Sequence, residues 1–209
     1  MQASGIKNII FDLGGVILDL SVDHTLQSFS DLSGLKKNEV EKIFHSTPEF
    51  LVYEKGGITD DEFRDVVRHV YKINASDAAL DKSWNAMLRG MPLDKLALLD
   101  KLKTKYNVFL LSNTNNIHLD YINRIMMPSV SADRVLDDYF HRAYYSHLMF
   151  MRKPDAEIFE RVLSDNGLDA AETLFLDDNA SNVAGAESVG IQTVHVTSPN
   201  LMLEYFNER

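Results

Sequence analysis

The chain has 209 residues, enough for one domain of ordinary size with a smaller inserted one. Its composition, 45% hydrophobic and 25% charged, is typical of soluble globular proteins, and the absence of cysteine excludes disulfides, zinc–thiolate sites and thiol nucleophiles. The formal charge of −10 and the scattered basic residues argue against nucleic acid as a partner, because polyanion binding needs a concentrated Lys/Arg surface.

The first predicted strand, Asn8–Leu13, is followed by a long stretch with helical patterning. From about Ser21 to Arg89 we find no convincing strand. Helices are predicted there at Asp23–Leu32, Lys36–Phe44, Asp60–Tyr71 and Ala75–Leu88. Glu62 stands three residues after Thr59, the spacing of a capping box that begins a helix. We therefore predict an inserted α-helical cap domain over residues 21–89.

After Met91-Pro92 the pattern changes to short apolar strands that alternate with helices. The predicted strands are Asn107–Ser112, Arg142–Ser146, Thr173–Leu176 and Gln192–Thr197. The predicted helices are Leu93–Tyr106, Asn116–Met126, Asp155–Asn166 and Ala180–Val189. Near-continuous apolar strands between helices indicate an α/β fold, with a doubly wound parallel sheet of five strands. Residues 1–20 and 90–209 would form this core domain.

No long apolar segment occurs, either internally or directly behind Met1. We therefore expect no transmembrane span, no other membrane association and no secretory signal, and we predict a cytoplasmic protein. The sequence leaves the oligomeric state open between a monomer and a small homo-oligomer.

Polar residues follow the first four strands of the predicted sheet at their ends. They are Asp12, Ser112 with Asn113, Lys153, and the pair Asp177-Asp178. In an open parallel sheet, ligands bind at the carboxyl ends of the strands. We therefore consider these residues jointly as a candidate site.

Each of these residues also has an ordinary structural interpretation. Asp12 is either a nucleophile for phosphoryl transfer or a turn aspartate before two glycines. Asp177 and Asp178 either hold a hard cation, for which oxygen ligands favour magnesium, or cap the next helix. Ser112 and Asn113 either cradle a phosphate or cap the helix that follows them. Taken alone, none of them decides between the two interpretations.

A charge count supports the joint interpretation. Three clustered carboxylates repel one another, whereas one divalent cation and the Lys153 ammonium bring their formal charge to zero. Such a site accepts a dianionic phosphate, and Lys153 would also stabilise charge on the transferring phosphoryl group. Gly14 and Gly15 allow the backbone to approach a ligand closely.

Four motifs in this order resemble those of the haloacid dehalogenase superfamily, over essentially the whole chain. They are Phe11-Asp12-Leu13-Gly14-Gly15-Val16, Leu111-Ser112-Asn113-Thr114-Asn115, Arg152-Lys153-Pro154, and Phe175-Leu176-Asp177-Asp178-Asn179 with Asn182. Within the superfamily the chain is most similar to the hexose-1-phosphate phosphatase-like group and to the phosphatase domain of soluble epoxide hydrolase. The resemblance implies a Rossmann-like core with a C1-type helical cap. It also implies a Mg²⁺-dependent phosphatase that acts on a small phosphorylated metabolite through an aspartyl-phosphate intermediate on Asp12.

By this resemblance, Asp12 and Asp178 would contact the metal directly, Gly14 would contribute its carbonyl oxygen, and Asp177 would act directly or through water. Lys153, Gly14, Gly15, Ser112 and Asn113 would bind the phosphate, and Lys153 would also be catalytic. Asn182 lies one helical turn after Asp178 and is expected to hydrogen-bond the metal-binding carboxylate.

One position departs from the family pattern. Most superfamily phosphatases carry an acid/base aspartate two residues after the nucleophile, and this chain has Gly14 there. Three explanations for the missing aspartate are open. In the first, the substrate has a good leaving group, such as the anomeric oxygen of a sugar 1-phosphate, and needs less help from an acid. A cap residue can supply the proton, with Asp19, Asp23, His24 and Glu54 as candidates. Alternatively, turnover is lost, which leaves a phosphate-binding or regulatory module.

A 2-haloacid dehalogenase is a further alternative, because such enzymes also use an aspartate nucleophile. They work without a metal, so their fourth motif does not require paired aspartates. The Asp177-Asp178 pair therefore favours the phosphatase.

Overall fold

The computed structural model describes residues 5–207. Over this range the chain forms seven strands: β1 (Asn8–Phe11), β2 (Asp19–Leu20), β3 (Leu88–Gly90), β4 (Asn107–Ser112), β5 (Arg142–Tyr145), β6 (Thr173–Asp177) and β7 (Gln192–His195). Five of them form a central sheet in the order β5-β4-β1-β6-β7, and all neighbouring pairs are parallel. The α/β fold class is thereby confirmed, and the strand order reverses beside β1.

Twelve α-helices occur in the same range. They are α1 (Val22–Ser33), α2 (Lys37–Ser46), α3 (Glu49–Glu54), α4 (Asp60–Tyr71), α5 (Asp77–Trp84), α6 (Leu93–Lys103), α7 (Asn116–Tyr121), α8 (Met127–Val130), α9 (Ser146–Met149), α10 (Ala156–Asn166), α11 (Ala180–Ser188) and α12 (Leu201–Asn207). A π-helical turn over Ile122–Met126 joins α7 to α8. None of the helices described is both long and apolar enough to cross a lipid bilayer.

The central sheet is buried on both faces, which explains its apolar strands. Successive side chains of a strand point to opposite faces. In β1, Ile9 and Phe11 accordingly belong to one hydrophobic cluster, and Ile10 belongs to a second. All three are at most 1% exposed. Burial on both faces leaves the ends of the strands as the places where polar side chains can face a ligand.

The helices α1 to α5 form a cap that has its own hydrophobic cluster. Phe29, Phe50, Phe63 and Trp84 are central to it, and Ile117 of α7 is the contact from the core. The capping box predicted at Thr59 is present, because the Glu62 N–H donates to Thr59 Oγ1 and the Thr59 N–H donates to Glu62 Oε2. The helical cap is therefore confirmed. The domain bounds of 21–89 and of 1–20 with 90–209 stay a prediction, and residues 1–4 and 208–209 lie outside the described range.

The neck between cap and core differs from the sequence prediction. The helix predicted over Ala75–Leu88 ends at Trp84, a 3₁₀ turn follows, and β3 pairs antiparallel with β2. The prediction that the cap region holds no strand was therefore wrong at Leu88 and Arg89. The partner of β3 lies about 70 residues away in sequence, so no local pattern signals the pairing. The short helices α3 and α12 were not predicted either.

Candidate active site

Three carboxylates meet at the carboxyl edge of the sheet. Asp12 directly follows β1, Asp177 ends the neighbouring strand β6, and Asp178 comes next. One carboxylate oxygen from each lies within 4.8 Å of the other two. The strand pairing causes this convergence, because Phe11 and Leu176 are direct partners across β1 and β6. The structure thus brings together the three carboxylates that the sequence predicted for the site, Asp12, Asp177 and Asp178.

Lys153 joins two of the carboxylates from the loop before α10. Its Nζ lies 2.6 Å from Asp12 Oδ1 and 2.7 Å from Asp177 Oδ2. The side chain is 1% exposed, and a charge that is so deeply buried requires close partners. Burial alone would lower the pKa of Lys153. Asp12 and Asp177 outweigh that effect and hold the pKa above its usual value, so the ammonium stays charged.

Opposing effects act on the pKa of Asp12. Burial raises the pKa of Asp12 to about 7, with the Lys153 ammonium working against the rise and the Asp177 carboxylate adding to it. Burial and Asp177 also raise the pKa of Asp178. Three carboxylates beside one ammonium leave an excess of negative charge, which a divalent cation would balance.

The donor set fits Mg²⁺. All three side chains offer hard oxygen atoms, which Mg²⁺ prefers. In an octahedron with metal–oxygen distances of about 2.1 Å, ligand oxygens stand about 3.0–4.2 Å apart, so a spread within 4.8 Å needs only small adjustments. Asp177 already accepts bonds at both oxygens, whereas Lys153 engages only Oδ1 of Asp12.

Asn182 supports a different carboxylate from the one expected. Its Nδ2 donates to Asp177 Oδ1 and Oδ2 at 3.1 and 3.0 Å, not to Asp178. The Asn179 N–H donates to Asp177 Oδ1 as well. The buried Asp177 points back toward the start of α11, where Asn182 lies, while Asp178 is on the exposed side. Asn182 therefore fixes the aspartate that holds Lys153.

Gly15 makes room for Asp178. Its φ of +74° is in the left-handed region, and a Cβ atom at this position would lie 2.2 Å from Asp178 Oδ2. Any side chain at residue 15 would therefore displace the Asp178 carboxylate. At Gly14 the nearest atom to an added Cβ is Leu20 Cδ2, at 3.2 Å, which belongs to a partly exposed and flexible side chain.

Ser112 and Asn113 lie where they were predicted, at the end of β4. The Asn113 side chain, however, bonds the main chain of Lys153 at both ends: Nδ2 donates to Lys153 O and Oδ1 accepts from Lys153 N, each at 2.9 Å. Its side chain thus positions the lysine. Any phosphate contact predicted for Asn113 would therefore use its backbone N–H.

A cavity of about 240 Å³ separates this site from the cap. Its lining comprises Leu13, Gly14, Leu18, Leu20, Val22, Phe44, Glu54, Trp84, Met87, Leu88, Ser112, Asn113, Thr114, His118 and Ile122. Of the four cap candidates for a proton donor, Glu54 alone lines this cavity. Asp23 pairs with Lys37, His24 with Ser21, and Asp19 with Lys95.

His118 is a cavity residue that the sequence analysis missed. Its ring stacks on Trp84 at 5.1 Å between centroids, and its Nδ1 lies 2.8 Å from Asn85 Oδ1. Burial lowers the pKa of His118 to about 3, so the ring is neutral near pH 7. His118 lies three residues after Asn115, which is the N-cap of α7. This spacing places His118 in the first turn of the helix that follows β4, and it could have indicated a position near the site.

Comparisons with known proteins agree with this geometry. A family model for haloacid dehalogenase-like hydrolases matches residues 6–190. A D-ribitol-5-phosphate phosphatase of Bacteroides thetaiotaomicron is 32% identical over 189 residues, 90% of this chain and 90% of the relative. The structure of a HAD family enzyme from the same species, with magnesium and inorganic phosphate, is 40% identical, covers 91% of this chain and 93% of that chain, and has a TM-score of 0.84. A HAD-like hydrolase structure from Porphyromonas gingivalis is 29% identical, covers 98% of each chain and has a TM-score of 0.86.

Proposed function

The chain belongs to the haloacid dehalogenase-like hydrolase family, and on that premise we propose that it hydrolyses a small sugar or polyol phosphate through a phosphoryl group carried on Asp12. Its general activity is hydrolysis of phosphate esters, and its cofactor is Mg²⁺. The proposal adds the nucleophile, the roles of the site residues and the substrate class.

The observation that carries the proposal is the contact of Lys153 Nζ with Asp12 Oδ1, 2.6 Å apart, inside the cluster of three carboxylates. The contact fixes the Asp12 carboxylate at the switch point of the sheet, where a phosphate can reach it. The Asp177-Asp178 pair argues against a metal-free dehalogenase, which has no use for a third carboxylate beside the nucleophile. Similarity to a phosphatase over 90% of the chain argues against a purely regulatory module.

The reaction follows from these positions. An oxygen of Asp12 attacks the phosphorus, and the bond from phosphorus to the leaving oxygen breaks. The Lys153 ammonium, with the backbone N–H of Asn113, stabilises charge on the phosphoryl oxygens. Water then attacks the phosphorus, which releases inorganic phosphate and regenerates the Asp12 carboxylate. Asp12, Asp178 and the Gly14 carbonyl would hold Mg²⁺, which would supply the positive charge that keeps Asp12 ionised and balances the dianionic substrate.

The substrate class is inferred from the cavity and from the relative. A space of about 240 Å³ beside Gly14 admits a small leaving group, and Ser112, Thr114, His118 and Glu54 offer it polar contacts. A relative at 32% identity is named a D-ribitol-5-phosphate phosphatase, and ribitol 5-phosphate is a small polyol phosphate. We therefore expect sugar and polyol phosphates as substrates, including a sugar 1-phosphate, whose anomeric oxygen leaves readily.

The test is phosphate release from ribitol 5-phosphate, glucose 1-phosphate and glucose 6-phosphate, with Mg²⁺ and with EDTA. We expect Mg²⁺-dependent release that Asp12→Asn abolishes. Thermal stability should change little, because the substitution conserves volume and Asp177 still pairs with Lys153. Asp133→Asn on an exposed loop serves as the matched control. Phosphate release by Asp12→Asn at the parent rate would refute the covalent mechanism.

A further inference from the structure

The leaving oxygen lacks a proton donor at the usual place. Residue 14 lies two positions after the nucleophile, and it is a glycine whose missing side chain would point toward Leu20 at the cavity wall. An alkoxide is a poor leaving group, and a positioned acid commonly accelerates such steps by about 10²–10⁴-fold. A phosphatase for alkyl phosphates therefore needs its acid from another part of the chain.

Glu54 is the one carboxylate among the described residues that line the cavity between cap and core. It ends α3 in the cap, and two contacts hold it against the core. Its backbone oxygen accepts a bond from Ser146 Oγ at 2.6 Å, and its Oε2 accepts one from Arg152 Nη2 at 3.0 Å. The side chain retains 27% exposure, and the residue lines the cavity. The Arg152 contact engages Oε2, which leaves Oε1 for a ligand.

The surroundings of Glu54 favour a proton-carrying role. Burial raises the pKa of Glu54, and the Arg152 guanidinium and the Lys153 ammonium counter this rise only in part. Lys55, the next cationic residue of the cap, pairs instead with Asp155. His118, the other titratable side chain of the cavity lining, is neutral and holds no proton to donate as an acid near pH 7.

We propose that Glu54 is the acid and base of this phosphatase, and that it takes the place of the side chain absent at Gly14. The inference rests on the proposed function. As Asp12 bonds to phosphorus and the ester bond breaks, the proton on Glu54 moves to the leaving oxygen and the alcohol is released. Glu54 remains as a carboxylate beside Arg152. It then accepts a proton from the water that attacks phosphorus, and the bond from phosphorus to Asp12 breaks to give inorganic phosphate.

This arrangement links the chemistry to cap closure. The acid belongs to the cap, and its contacts to Ser146 and Arg152 exist only when the cap lies on the core. Full proton transfer therefore requires the closed state, in which the cavity is shielded from bulk water.

The test compares Glu54→Gln with Glu49→Gln, an exposed position on the same helix. The substrates are ribitol 5-phosphate, whose alkoxide needs a proton, and p-nitrophenyl phosphate, whose phenolate leaves without one. For Glu54→Gln we expect kcat/KM on ribitol 5-phosphate to fall by about 10²–10⁴-fold and kcat/KM on p-nitrophenyl phosphate to stay unchanged. Steady-state release from the aryl substrate should slow after a nitrophenolate burst equal to the enzyme concentration, because the water-activating base is missing. Glu49→Gln should match the parent on both substrates.

Equal losses of kcat/KM on both substrates would show that Glu54 only positions the cap, and an unchanged value on ribitol 5-phosphate would show that it is dispensable. Either result overturns the inference. Arg152→Gln provides a second variant that retains the carboxylate. The Arg152 guanidinium lowers the pKa of Glu54, so removing the guanidinium should raise that pKa. The pH at which kcat/KM for ribitol 5-phosphate falls on the alkaline side should then be higher than in the parent. An unchanged alkaline limb would contradict the assignment. Absence of phosphate release by the parent protein would instead refute the proposed function itself.

Discussion

Replacing Gly15 by alanine tests whether the Asp178 carboxylate is a metal ligand. The added Cβ would lie 2.2 Å from Asp178 Oδ2, so the carboxylate must retreat by more than about 1 Å to reach an ordinary van der Waals contact. The φ of +74° adds backbone strain of about 1–2 kcal/mol, because L-residues disfavour this region. We expect a less stable protein whose Mg²⁺ requirement rises by about 10–100-fold, the usual effect of disturbing the groups that orient metal ligands.

The matched control is Gly34→Ala. Gly34 has the same φ of +74°, and an added Cβ would meet nothing within 4 Å. Both variants should therefore lower the free energy of unfolding in urea, and Gly15→Ala should lower it more because it adds the clash with Asp178 to the same backbone strain. Only Gly15→Ala should shift the Mg²⁺ concentration that gives half-maximal phosphate release. If Gly15→Ala is activated at the parent concentration, or if Gly34→Ala shifts equally, Asp178 does not hold the metal as we argue.

Two further predictions concern the cavity. Burial lowers the pKa of His118 to about 3, below its unfolded value of about 6.5. The buried neutral imidazole therefore stabilises the folded protein above pH 6.5, and this stabilisation is lost as the pH falls. Between pH 7 and pH 5 the free energy of unfolding in urea should fall by about 2 kcal/mol more for the parent than for His118→Gln, and parallel pH curves would contradict this. Gly14→Asp should restore part of the ribitol 5-phosphate activity lost in Glu54→Gln, because Leu20 is flexible enough to admit the new side chain. Equal effects of Gly14→Asp on alkyl and aryl phosphates would refute the leaving-group argument.

The sequence determined the sheet and its acidic edge because both depend on short-range patterns. Asp12 and Asp177 each follow a buried apolar run, and parallel strands bring their carboxyl ends to one edge whatever the intervening chain does. The helix Asp60–Tyr71 was equally predictable, since its capping box and apolar periodicity are local.

The tertiary structure decided the features that depend on how the cap lies against the core. The pairing of β2 with β3 joins residues about 70 positions apart. Glu54 lines the cavity, and Asp19, Asp23 and His24 do not, because the end of α3 is the part of the cap that meets Arg152 and Ser146. The direction of a side chain at the end of a strand is also set by its neighbours, so the bond from Asn182 to Asp177 instead of Asp178 could not be read from spacing. Local periodicity fixes which elements form, whereas long-range packing fixes which polar groups meet.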